Sequence, residues 1–157
     1  MVSFSIKLAD VNILVHCLYP STKEFCTDYL TQESPDFAVE INPEDISLEQ
    51  ALSDQTSLRE GQAPTTYPKA YLETLALLRK LADHLLDYDV LLFHGSAVAV
   101  DGRAYLFTAP SGTGKSTHTR LWRQMFGPRA VMINDDKPML RCTPQGITVF
   151  GSPWDGK

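Results

Sequence analysis

The chain has 157 residues, 43% of them hydrophobic and 21% charged, with a formal net charge of −5. This is enough for one domain with a core, or a core with a small appendage, and the composition is that of an ordinary globular protein. An acidic balance without a Lys/Arg cluster argues against duplex nucleic acid as a partner, and the longest apolar run, Val90 to Val100, is too short to span a bilayer. Residues 2–8 alternate, with Val2, Phe4, Ile6 and Leu8 on one face, and predict a strand. Val11 to Tyr19 predicts a second strand, more evenly apolar and therefore more buried, with the turn between them at Asp10 or Asn12. Pro20-Ser21 ends it, Thr22 to Leu30 predicts a short helix, and Phe37 to Ile41 a third strand. Asn42-Pro43-Glu44-Asp45 has the form of a helix start: a capping Asn, Pro at the first position and acids in the first turn. That helix is expected to reach about Ser53. Residues 54–66 are polar, contain Gly and Pro, and are the expected linker. The strongest helix runs from Pro68 to about Tyr88, with Leu72, Leu75, Leu78, Ala82 and Leu85-Leu86 as a core-packing stripe.

Val90 to Val100 reads as one strand ending at Asp101-Gly102, and Arg103 to Thr108 as the next; two such runs across Asp-Gly signal a hairpin. His118 to Arg123 opens a helix, in which Trp122 is expected to be core, and Ala130 to Ile133 is a short strand. Met139 to Cys142 and Ile147 to Phe150 form a second hairpin around Thr143-Pro144-Gln145-Gly146. The expected fold is α/β. Because the strand leading to residue 109 pairs antiparallel with its predecessor, its sheet is mixed, not doubly wound and parallel.

The segment Ala109-Pro110-Ser111-Gly112-Thr113-Gly114-Lys115-Ser116-Thr117 lies between that strand and the helix. Strand, glycine-rich turn and helix with Gly-Lys-Ser at the junction is the pattern of a phosphate-binding loop. The first position is Ala109, where the strict pattern has Gly; the relaxed pattern arises by chance in about one chain of this length in a hundred. Glycines free the backbone so that amides converge on phosphate oxygens at the positive end of a helix. Lys115 would reach the β- and γ-phosphates and the Ser116 hydroxyl would ligate Mg²⁺. Some twenty residues later the strand Ala130 to Ile133 ends in Asn134-Asp135-Asp136. Phosphoryl transfer needs one carboxylate for the metal and often a second to orient or deprotonate the nucleophile, so Asp135 and Asp136 are candidates for both tasks. His94, expected near the middle of the strand beside the loop strand, is a candidate partner for a phosphate oxygen or for the Asp pair. Arg120, Arg123 and Arg129 could neutralise transition-state charge as an arginine finger does, but arginines on such a helix are more often solvated and none is assigned a role; His16 and His84 are read as structural. Cys17, Cys26 and Cys142 have no metal-ligand spacing and the N-terminus has no apolar signal core, so reduced thiols in a cytoplasmic protein are expected.

Phe93-His94-Gly95-Ser96-Ala97-Val98, Asp101-Gly102, Ser111 to Ser116 and Asn134-Asp135-Asp136 together resemble the catalytic domain of HPr kinase/phosphorylase and its relatives. That family shares its core with ATP-dependent phosphoenolpyruvate carboxykinase. The resemblance covers about residues 67–157 and implies a nucleotide-binding domain with a mixed, partly antiparallel sheet and a P-loop after an antiparallel strand. Residues 1–66 form a separate small α+β region. By the resemblance Lys115 contacts phosphates, Ser116 binds Mg²⁺, Asp135 and Asp136 supply the base and a metal ligand, and His94 sits beside the phosphates. Two features depart from HPr kinase itself. Thr117 stands where that enzyme usually has Glu, and its HPr-docking segment has no counterpart, so smaller relatives linked to peptides or small molecules are nearer in style. Gly151-Ser152-Pro153-Trp154-Asp155-Gly156-Lys157 resembles a segment after which relatives continue, so the domain is expected to be incomplete at its C-terminus. An exposed Trp154 beside an open sheet edge would favour a homo-oligomer. The expected activity is ATP- and Mg²⁺-dependent phosphorylation of a hydroxyl, on a serine of a peptide or protein or on a small molecule. The alternative is a nucleotide-binding regulatory module without catalysis. Carboxykinase-like chemistry on a small acid is a third option, which needs further basic residues for the carboxylates.

Overall fold

In the computed structural model, which describes residues 1–110 and 112–156, contacts divide the chain into two units. One comprises Met1–Lys7 with Val11–His84; the other comprises Leu8–Asp10 with the chain from Leu85 onward. The architecture is mixed α/β, with three three-stranded sheets and four α-helices among the described residues. None of these helices is long and apolar enough to cross a membrane.

The first unit is built on β1 (Val2–Leu8), β2 (Val11–Cys17) and β3 (Phe37–Glu40). Ala9 and Asp10, at φ 48 and 62, make the turn from β1 to β2. Strands β2 and β3 run parallel, with Ile13 opposite Phe37. β2 alternates buried and half-buried residues along its length, where even burial was expected, so only one face is fully covered. α1 (Pro20–Phe25) is followed by a separate 3-10 turn at Thr27–Tyr29, splitting the single helix expected there.

α2 (Pro43–Arg59) begins as its sequence dictates, with the Asp45 carboxylate accepting from the Asn42 amide at 2.8 Å. It runs past Ser53 and takes in the first half of the expected linker. Polarity alone does not stop a helix, and the first breaker is Gly61 at φ 72. There Gly61 N–H donates to Leu58 O at 3.1 Å and Gln62 N–H to Ser57 O at 2.8 Å, closing the last turn.

α3 (Lys69–Leu85) buries Leu72, Leu77, Leu78, Leu81 and Leu85, while Leu75 and Ala82 are half-buried and Leu86 lies outside, exposed. The apolar stripe is therefore rotated slightly from the one expected. Polar anchors tie this helix to the first unit. Glu73 is completely buried and accepts from the amides of Leu18 (2.6 Å) and Tyr19 (3.1 Å) and from the Thr22 hydroxyl. Arg79 meets Glu49 and Lys80 meets Asp45, each at 2.6 Å. By contacts the division of the chain falls after His84, which puts α3 up to that residue in the first unit.

The second unit holds β4 (Val90–Leu92), β5 (Ser96–Val100), β6 (Arg103–Phe107), α4 (Lys115–Phe126), β7 (Ala130–Asn134), β8 (Met139–Thr143) and β9 (Gly146–Phe150). Its sheets are ordered β6-β5-β7 and β4-β8-β9, and every pairing is antiparallel. The mixed sheet expected here is thus two small antiparallel sheets, and the parallel pair lies in the first unit. Asp101 and Gly102, at φ 51 and 78, make the β5–β6 hairpin turn that Asp-Gly predicts. Arg129 pairs with Asp101 and holds its carboxyl below the usual range. Val98, Val100 and Ala130 form a small core against Phe107, Trp122 and Phe126. Trp122 is only partly buried.

The run from Val90 to Val100 is two strands, because the chain leaves one sheet and enters the other at Phe93–Gly95. The segment after β7 makes the same change in the opposite direction. Pairing nevertheless continues in register from Val90 opposite Arg141, through Phe93 N–H to Pro138 O (2.9 Å) and Gly95 N–H to Asp136 O (3.0 Å), to Ala97 opposite Asn134. It slips only between Ala97 and Val98.

Candidate functional site

Strand β5 lies between β6 and β7 and opposes both, so β6 and β7 run in the same direction. Ser96 pairs with Phe107, the last residue of β6, and Ala97 with Asn134, the last residue of β7. The glycine-rich turn and the two aspartates therefore emerge at the same rim, on either side of the start of β5.

In the turn, Gly112 and Gly114 take φ 79 and 93, a region that L side chains disfavour, while an added Cβ would meet nothing at either place. Backbone conformation, not crowding, requires glycine there. Gly114 caps α4, and Lys115 is its first residue. Lys115 Nζ folds back over the turn and donates to Ala109 O at 2.8 Å and Pro110 O at 3.4 Å. The Thr113 hydroxyl donates to Pro110 O at 2.8 Å. Ser111, expected to bind phosphate, lies outside the described residues, as does Lys157.

His94, Lys115, Ser116, Thr117, Asp135 and Asp136 line one cavity of about 430 Å³, beside Gly112 and Gly114. Ala109 and Thr113 line a neighbouring, more apolar cavity of about 620 Å³ with Phe107 and His118. His94 is not in mid-strand as expected; it occupies the crossing between β4 and β5, and that displacement turns it toward the acids. Its Nε2 lies 3.2 Å from Asp136 Oδ1, and Lys137 Nζ lies 2.9 Å from the same oxygen. Gly95, which follows His94 in the chain, has no room for a side chain: a Cβ would sit 2.6 Å from Phe107 O and 2.8 Å from Phe93 Cε1.

Asp135 is held differently. The Ser96 hydroxyl donates to its Oδ1 at 2.5 Å, and the buried Thr119 hydroxyl lies 3.0 Å from Ser96 Oγ. With the Ser96 proton directed at Asp135, Ser96 can only accept from Thr119, whose single proton also lies within reach of Lys115 O at 3.3 Å and Ser116 O at 3.2 Å, so the two hydroxyls link α4 through β5 to the carboxylate. Below the pair, Asn134 is 2% exposed. Its Oδ1 accepts from the amides of Asp136 (2.9 Å) and Lys137 (2.7 Å), and its Nδ2 donates to Ser152 O at 3.1 Å. This side-chain turn fixes the direction in which the two acids leave β7.

Ser96, Thr119 and Lys137 did not stand out as site residues in the sequence. The available signals were weak: a serine inside an apolar run, and a threonine four residues after Lys115 on the same helix face. Trp154 is 7% exposed, which removes the ground for self-association through it. Its carbonyl accepts from Lys137 N–H at 3.1 Å, so the residues following β9 brace the Asp turn. The three cysteines are free thiols, Cys17 and Cys26 buried and Cys142 half-buried.

Compared with protein-family models and with curated proteins, the chain has no significant match.

Proposed function

We propose that the second unit is an ATP- and Mg²⁺-dependent phosphotransferase of the HPr-kinase-like kind, which moves the γ-phosphoryl group to a hydroxyl. On this reading the turn at 109–114 is a P-loop and the core is phosphoenolpyruvate-carboxykinase-like. The observation that carries it is the gathering of Lys115, Ser116, Asp135, Asp136 and His94 around one cavity at the N-terminus of α4. Loop amides and the helix end attract phosphate, and Lys115, released from Ala109 and Pro110, supplies a mobile positive charge.

The Ser116 hydroxyl and the two carboxylates are hard oxygen donors, which suit Mg²⁺. Among the described residues no three His, Cys, Asp or Glu side chains are grouped to hold a metal by themselves, so the remaining ligands would be phosphate oxygens and water. When bound, Mg²⁺ would neutralise charge on the transferring group. Asp135 is the better base. It borders a second cavity as well as the first, and Ser96 engages one of its oxygens and leaves the other for an incoming hydroxyl. Asp136, between His94 and Lys137, is the better metal ligand.

The test is transfer of label from γ-labelled ATP in the presence of Mg²⁺, read by mass spectrometry on candidate acceptors and on the chain itself. Lys115→Ala is expected to lower turnover by at least about a hundredfold. Undiminished turnover in that variant would sink the assignment, and ATP binding without turnover in the native chain would point to a regulatory module instead.

A further inference from the structure

Helix α4 presents chemically different faces. Thr119 is buried against β5, and His118 and Leu121 face the apolar cavity beside β6. Ser116, Arg120 and Arg123 follow at spacings of four and three, so they form one stripe on the β7 side. With Asp135 and Met132 that stripe lines a cavity of about 340 Å³. The two arginines also line an adjoining cavity of about 430 Å³ with Gln124 and Gly127. Arg129, just beyond the helix, is committed: it pairs with Asp101 and its guanidinium lies 5.8 Å from the Phe126 ring centroid. The side chains of Arg120 and Arg123 make no hydrogen bond or ion pair with any described residue. Both side chains are exposed, and two guanidinium groups with no described side-chain partner beside the candidate base, in a chain of net charge −5, offer paired donors that suit an anion.

We infer that the phosphoryl acceptor is itself anionic, an alcohol carrying a carboxylate or phosphate that Arg120 and Arg123 grip while its hydroxyl lies against Asp135. The inference rests on the phosphotransferase reading above. In the step it serves, the acceptor oxygen bonds to the γ-phosphorus and its proton passes to the Asp135 carboxylate. The bond from the γ-phosphorus to the bridging oxygen breaks, and its electron pair leaves with ADP. Arg120 and Arg123 take no proton; they position the acceptor on the side of α4 away from the apolar cavity.

The experiment follows the side-chain Nε–H resonances of Arg120 and Arg123 in the full ¹⁵N-labelled chain, assigned with Arg120→Gln and Arg123→Gln. Four probes are titrated: glycerate, glycerol, and a serine peptide flanked by Asp or by Asn. Glycerate or the Asp peptide is expected to shift both resonances, and the one that does so identifies a small acid or an acidic peptide as the source. The neutral probes are expected to leave them in place. Turnover with the effective acidic probe should exceed that with its neutral partner by at least about tenfold in kcat/KM, and the double variant should lose that preference. No shift with either acidic probe overturns the inference. So does an equal shift with MgATP alone, which would assign the arginines to the nucleotide. If instead MgATP leaves the Gly114–Ser116 amides unmoved, the phosphotransferase reading falls, while the acidic probes still decide whether this face holds an anion.

Discussion

On the phosphotransferase reading, Asp135 works as a base only as well as its orientation is fixed; that orientation rests on Ser96 directly and on Thr119 through it, and neither hydroxyl touches the proposed substrate. Thr119→Val keeps the side-chain shape and removes the hydroxyl that Ser96 meets. It is expected to lower kcat by about tenfold while leaving the ATP dissociation constant within about twofold, and Thr119→Ser should restore most of the rate. A steady-state series at saturating ATP checks this; an unchanged kcat for Thr119→Val would show that the hydroxyl link is idle. Gly95 makes a steric prediction. Its Cβ position lies 2.6 Å from a backbone oxygen of β6, so Gly95→Ala must displace a strand. Destabilisation of about 2 kcal/mol is expected, read as a lowered denaturant midpoint.

Among the elements, those specified by neighbouring residues were legible and those specified by distant ones were not. The Asp101-Gly102 hairpin, the Asn42-Pro43 helix start and the glycine turn after β6 each follow from a few adjacent residues, and each stands where the sequence places it. The break between β4 and β5 falls at Phe93–Gly95, where pairing with the opposing segment Asp136–Pro138 continues across the change of sheet, so the apolar run alone does not mark it. The same holds for α3. Glu73 looks like a solvated charge beside a leucine stripe, yet its partners stand at Leu18, Tyr19 and Thr22. Glu73→Ala leaves the buried Thr22 hydroxyl and the half-buried Leu18 and Tyr19 amides without this acceptor and is expected to cost about 3 kcal/mol, measured by chemical unfolding. Of the candidate site, the residue types were readable from spacing, but the links from His94 to Asp136 and from Ser96 to Asp135 depend on strand order, which no local pattern encodes.

For the molecule as a whole, stability should fall at high pH. Burial pushes the Cys17 thiol up to about 11, with the Glu73 charge adding to it, and the Cys26 thiol up to about 12, with Cys17 adding. An unfolded chain loses these protons near 9.0, so above that pH the folded state binds more protons than the unfolded one. The stabilisation is complete below pH 9.0 and is lost as pH rises from there toward the folded values. For Cys26 alone the slope is about 1.4 kcal/mol per pH unit. Urea unfolding at rising pH, native against Cys26→Ala, isolates it: the native curve should fall more steeply, and parallel curves would refute the account. Thiol reagents should modify Cys142 well before the two buried cysteines.

One short stretch, His94 to Ser96, addresses both acids, His94 reaching Asp136 and Ser96 reaching Asp135 across a residue that tolerates no bulk. A substitution in that stretch would disturb both carboxylates together. On the phosphotransferase reading, the base and the metal ligand would then fail in one step, which leaves these three residues little room to vary.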